Sequence, residues 1–122
     1  MAQQEWQVEF HNEFAAEVRQ LSQAVREKLK AVATILGEDG PQLGRPYADT
    51  LKGSRHANMK ELRFDADGGA WRVAYAFDPE RKAILLVGGD KSGAGKMRFY
   101  RNLLRVADER YDQHLRVLHL KR

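Results

Sequence analysis

The stretch from Asn58 to Gly95, NMKELRFDADGGAWRVAYAFDPERKAILLVGGDKSGAG, leaves few folds open. Three short runs, roughly 58–65, 71–78 and 83–89, read as strands, with the alternation of half-buried strands plainest in the second. Between them stand Asp67-Gly68-Gly69 and Asp78-Pro79-Glu80-Arg81, which have hairpin and turn chemistry. A glycine-rich loop follows the third run. In the second run Trp71, Val73, Tyr75 and Phe77 share one face, and Arg72, Ala74, Ala76 and Asp78 the other. In the first, Leu62 and Phe64 share a face with Lys60, while Glu61 and Arg63 point opposite. The pattern predicts that the apolar faces meet a helical segment. Arg63, Arg72 and Glu61 then look across the opposite side, a shallow basic cleft floored by Ala74 and Ala76. A face given to guanidinium groups suits a polyanion; the competing expectation is a solvated face on which Arg63 and Arg72 pair with Glu61.

The flanking segments supply the cover. Trp6, Val8 and Phe10 alternate with polar neighbours, as in a strand. Asn12 is placed to cap a helix whose stripe is Phe14, Val18, Leu21, Val25, Leu29, Val32 and Leu36, ending at Gly37. Ser22 can restart a second helix, so this is one long helix or a hairpin of two. Residues 37–57 read as an extended, irregular crossing. Met97, Tyr100, Leu104, Ala107, Tyr111, Leu115 and Leu118 mark a C-terminal helix.

With 122 residues the chain is expected to form a single domain over 1–122, and its composition is that of a soluble globular protein. No run is apolar enough to span a membrane, and MAQQEWQVEF lacks the order of a secretory signal, so a cytoplasmic location is expected. The absence of cysteine excludes disulfides and thiolate metal sites. Net charge is +4, but Lys91 to Arg105 carries five basic residues and no acid, a bias toward a polyanion-facing surface. GDKSGAGK fails the phosphate-loop pattern: Asp90 stands where glycine is needed, and Met97 follows Lys96. Its glycines and the helix start still suit contact with one nucleic-acid phosphate. His11, His56, His114 and His119 have no zinc-like spacing, and no metal or other cofactor is expected.

Three segments, GPQLGRPYADTLKGSRHANMKELRF, WRVAYAFDPERKAILLVGGDKSG and GKMRFYRNLLRVADERY, together resemble the RelE/ParE superfamily of type II toxins, in its HigB-like, phage-derived branch. The resemblance implies an α+β, RelE-like fold: a small, mostly antiparallel sheet, an N-terminal helical segment on one face, and a C-terminal helix. It implies a metal-free endoribonuclease that cleaves messenger RNA, commonly at the ribosome. The implied partner is an antitoxin, typically of helix-turn-helix type, expected in an apolar groove beside the C-terminal helix. Arg72 stands where members carry an arginine contacting the scissile phosphate. Lys91 matches a basic residue at a strand exit, and Tyr100 a C-terminal tyrosine, across a longer loop. Glu61 departs from the family, standing where the best-known members carry lysine. The ParE branch of the same fold inhibits DNA gyrase without catalysis, which is the second expectation; a degenerate module that only binds its antitoxin is the third.

Metal-free RNA cleavage requires removal of the 2′-hydroxyl proton, stabilisation of charge at phosphorus, and protonation of the leaving 5′-oxygen. Arg63 and Arg72 suit the second task, because a guanidinium fork holds two phosphate oxygens and stays charged. Glu61 or His56 suits the base, and Tyr100 or Lys91 the acid. Arg55, His56, Lys60, Lys96 and Arg98 are the candidates for further RNA contacts. Bland alternatives stand beside these: His56 as a loop bystander, Tyr100 as core, and Lys91, Lys96 and Arg98 as solubilising charges.

Overall fold

The computed structural model describes residues 6–93 and 95–120. Strand β1 (Val8–Phe10) leads into helices α1 (Asn12–Val18) and α2 (Gln23–Asp39), followed by a 3-10 turn at Gly40–Gln42. Then come β2 (Ala48–Thr50), β3 (Lys60–Ala66), β4 (Gly69–Phe77), β5 (Ala83–Asp90) and the long helix α3 (Lys96–Leu120). The sheet order is β1-β5-β4-β3-β2, antiparallel throughout except for the parallel pair β1 and β5. This is the expected α+β architecture. The β3–β4 hairpin closes through Asp67 and Gly68, both at positive φ (55° and 77°), between the paired Ala66 and Gly69. That two-residue turn matches the twist of its strands.

The apolar face of β3, β4 and β5 packs as expected: Leu62, Phe64, Val73, Tyr75 and Leu85 meet Leu29, Val32 and Leu36 of α2. The opposite face departs from expectation. Ala74 and Ala76 do not floor an open cleft but are fully buried, together with Ile84 and Leu86, beneath Leu103, Ala107 and Tyr111 of α3. Their small side chains let the helix approach; the room they leave is filled by the helix. Gly89, opposite Arg72 in the register, serves the same approach, since a Cβ there would lie 3.0 Å from the Phe99 ring. The sheet is thus covered on both sides, and Glu61, Arg63 and Arg72 lie on the α3 face beside the first turns of that helix, where Tyr100 reaches Glu61.

Local corrections follow from side-chain chemistry. Ser22 Oγ accepts from the Val25 N–H (3.3 Å), so the helical segment is two helices. His11 caps α1 in place of Asn12, its Nδ1 accepting from the Glu13 N–H. Helix α2 runs through Gly37, which is buried inside it, and ends at Asp39, where Gly40 takes a left-handed φ of 69°. The crossing segment 37–57 contains β2, paired with β3 through Ala48↔Leu62, too short to show a period. On α3 the buried line is Leu103, Ala107, Tyr111 and Leu118, and Met97 is exposed.

The β4–β5 register skips Leu86, since Ala74 opposes Val87 and Tyr75 opposes Leu85. The Leu86 carbonyl freed by this bulge accepts from Arg110 of α3 (2.8 Å), and Arg110 is in turn held by Glu17 of α1. One guanidinium therefore ties α1, the sheet and α3 together.

Tyr75 carries a cost in the same core. Its hydroxyl is buried with no hydrogen-bond partner among the described residues, and burial raises its pKa far above the ordinary 10.0. Above pH 10 the unfolded phenol ionises while the folded one does not, so stability falls as pH rises. Tyr75→Phe is expected to stabilise the protein by about 1 kcal/mol and to blunt its alkaline unfolding, as read by thermal melts at pH 7 and pH 11.

Candidate active site

Two neighbouring strands place Arg63 of β3 and Arg72 of β4 directly opposite each other. Like charges in that arrangement repel and cost stability unless an anion lies between them. Glu61, two residues from Arg63 on the same face, supplies one. Its carboxylate is only 4% exposed; Oε2 accepts from the Arg63 guanidinium (2.8 Å) and Oε1 from the Tyr100 hydroxyl (3.0 Å). Tyr100 reaches it from the first turns of α3, across the sheet end. Burial, followed by the Glu61 charge, raises the Tyr100 pKa, so the phenol stays a donor at neutral pH.

Arg72 is the least satisfied group of the cluster. It is 6% exposed, its guanidinium NH1 donates to the Trp71 carbonyl (2.8 Å), and its Nε is buried with no partner among the described residues. A buried, unpaired guanidinium N–H is expensive, and a phosphate oxygen would satisfy it. Lys91 stands just past β5, half-buried. The Arg72 charge, before desolvation and the charges of Lys96 and Arg63, lowers its pKa. An ammonium held in excess positive charge gives up its proton more readily than a free lysine.

The structure thus gathers Glu61, Arg63, Arg72, Lys91 and Tyr100, and sets the exposed Lys96 beside them at the start of α3. Arg98 is exposed on the same first turn. Three sequence candidates lie elsewhere. Lys60 points to the α2 face and donates to the Pro41 carbonyl (3.1 Å). His56 Nε2 donates to the Asp112 carboxylate (2.7 Å) and packs edge-on against Tyr111, while Arg55 pairs with the same Asp112. With Ser54 Oγ on Asp108 (2.5 Å), these residues fasten the loop before β3 to the middle of α3. His56 is therefore a structural anchor and not a base of this cluster. Asp108 and Asp112 went unread in the sequence, although their i, i+4 spacing on a helix face was there to see.

Beside α3, the C-terminal helix along which an apolar groove was expected, the structure holds a cavity lined by charged and amide groups such as His11, Glu13, Asp78, Gln113 and His114, together with apolar side chains. No described helix is long and apolar enough to cross a membrane.

The model of the Phage derived protein Gp49-like family matches residues 16–112, which include every member of the charged cluster. The chain belongs to that family. As a Gp49-like protein it is 43% identical over 96 residues to HigB2 of Mycobacterium tuberculosis, covering 78% of this chain and 47% of HigB2. It is 47% identical over 85 residues to HigB3 of the same organism, covering 70% of this chain and 72% of HigB3. Both relatives bear toxin names, and the chain spans about half the length of HigB2 (47%). Among solved structures, the Gp49-like chain shares its fold with the Escherichia coli toxin RelE in the free state, an arginine-to-alanine double mutant. That match has a TM-score of 0.59 at 17% identity, covering 86% of this chain and 96% of the other. A chain of the archaeal RelE–RelB complex from Pyrococcus horikoshii gives 0.53 at 19%, covering 74% and 99%. The resemblance to the RelE/ParE superfamily, in its HigB-like branch, therefore holds.

Proposed function

We propose that this protein is the toxin of a toxin–antitoxin pair and acts as a metal-free endoribonuclease on messenger RNA, stopping translation at the ribosome. The observation that carries the reading is the buried Arg72 Nε, which has no partner among the described residues and lies between an arginine, a lysine of lowered pKa and a buried carboxylate. That arrangement has the parts of in-line phosphoryl transfer. Arg72 and Arg63 receive the non-bridging oxygens and stabilise the added charge at phosphorus. Glu61 takes the 2′-hydroxyl proton, with Tyr100 holding its other oxygen in place. Lys91 gives a proton to the departing 5′-oxygen. The toxin names of the relatives and the RelE fold support the same class of activity, and an antitoxin is the partner they imply.

The test is induced expression of the lone chain in bacteria, with translation rate and transcript 5′ ends followed for minutes. Collapsing translation with new internal transcript ends supports the proposal. Arrest with intact transcripts and a DNA damage response overturns it in favour of gyrase, and no arrest in favour of an antitoxin-binding relic.

The acid role of Lys91 has its own signature. Cleavage should fall as pH rises through the Lys91 pKa, which lies below the ordinary 10.5 because Arg72 stands beside it. Lys91→Arg keeps the charge but holds its proton too tightly. Its rate should drop about 100-fold, and the alkaline limb should vanish from a pH–rate profile.

A further inference from the structure

We propose that the groove between β1 and α2 is a docking surface for an extended, acidic segment of a partner protein, which joins the sheet at the free edge of β1. Three observations converge there. Among the described residues, strand β1 is the last of the sheet on its side. Its bonds to β5 use Gln7 O, which accepts from Ala83 N–H, and His11 N–H, which donates to Leu85 O. By strand alternation the N–H and C=O groups of Val8 and Phe10 face outward, ready to pair with another strand. Beside that edge lies a groove of about 340 Å³ walled by Val8 and Phe10 of β1 and by Leu29 and Ala33 of α2. Phe10 is 36% exposed in it. On the α2 side the groove is flanked by Arg26 and Lys30, one turn apart and both exposed.

The shape and charge define the occupant. A strand added to β1 sends alternate side chains toward α2, so one apolar side chain fills the groove. Those two residues to either side lie on the same face, within reach of Arg26 and Lys30, and carboxylates there match the charge. A second copy of this chain does not fit as well. A symmetric edge-to-edge contact would set two basic rims together, and β1 is only three residues long. The surface lies on the α2 face, opposite the one that carries Glu61, Arg63 and Arg72, so a partner seated there leaves that cluster open. The inference thus stands apart from the nuclease reading.

The test uses the full chain, isotopically labelled, with the end-capped synthetic peptide Thr-Glu-Thr-Leu-Thr-Glu-Thr at millimolar concentration. Expected are amide shifts confined to Val8–His11 and the facing side of α2, with amide exchange at Val8 and Phe10 slowed at least fivefold. The same peptide with Lys for Glu, or with Ser for Leu, should bind at least tenfold more weakly. The exposed double variant Arg26→Glu, Lys30→Glu should reverse the charge preference while keeping the spectrum of a folded chain. Absence of shifts at β1, equal binding of the lysine peptide, or edge-mediated dimers of the chain alone would overturn the proposal.

Discussion

Arg72→Ala is expected to abolish growth arrest and to slow RNA cleavage about 30- to 1000-fold, the loss of one phosphate clamp worth about 2–4 kcal/mol in the transition state. The residue is buried at 6% exposure, which would ordinarily make truncation costly to the fold. Here two features offset that cost. The Nε has no partner to lose among the described residues, and removal of the charge relieves repulsion with Arg63 directly across the strands. Melting temperature should therefore move only slightly while activity disappears. Arg72→Lys should recover part of the activity, since it keeps the charge without the two-pronged geometry. Cleavage assays and melts on the same three proteins check this, and an Arg72→Ala protein as active as the parent would remove Arg72 from the mechanism.

Asp78→Ala should instead damage the fold. The Asp78 side chain is 0% exposed, and Oδ1 accepts from the backbone N–H groups of Glu80 and Lys82 (both 2.9 Å). Oδ2 takes His114 of α3 at 2.8 Å. The carboxylate thus holds the β4–β5 turn, where Arg81 sits at a left-handed φ of 66°, and pins the C-terminal half of α3 to it. Truncation leaves two turn N–H groups and a half-buried imidazole without partners. A loss of about 3–5 kcal/mol follows, or roughly 10–20 °C in melting temperature for a chain of this size. Asp78→Asn should cost markedly less, because its oxygen still accepts from the turn. Thermal melts of the two variants separate these outcomes; equal stability of Asp78→Ala and parent would contradict the role.

The strands were readable because Trp71, Val73, Tyr75 and Phe77 alternate without interruption between turns of unambiguous chemistry. Arg63, Arg72 and Glu61 were placed on one face by the same period, while Lys91 came from the resemblance, which puts a basic residue at that strand exit. What the period does not carry is what covers a face. Ala74 and Ala76 look the same in sequence whether they leave a vacancy or make way for a helix, and α3 takes the second course. Pairings over long separations were equally silent. Tyr100 finds Glu61 across 39 positions, and His56 finds Asp112 across 56, so nothing local distinguished the tyrosine inside the cluster from the histidine outside it. β2 was missed because three residues are too few to show alternation. His11 displaced Asn12 as cap because an imidazole nitrogen can accept an N–H as a carboxamide oxygen does.

In the proposed mechanism a ribose 2′-hydroxyl attacks the phosphate held at Arg72. Its most direct measurement is the end chemistry of RNA cut by the purified chain, with and without translating ribosomes. Expected are fragments with 5′-hydroxyl and 2′,3′-cyclic phosphate ends, and no cleavage where a single 2′-deoxynucleotide replaces the attacking ribose. Intact RNA under both conditions, or 5′-phosphate ends indifferent to the 2′-deoxy substitution, would contradict it.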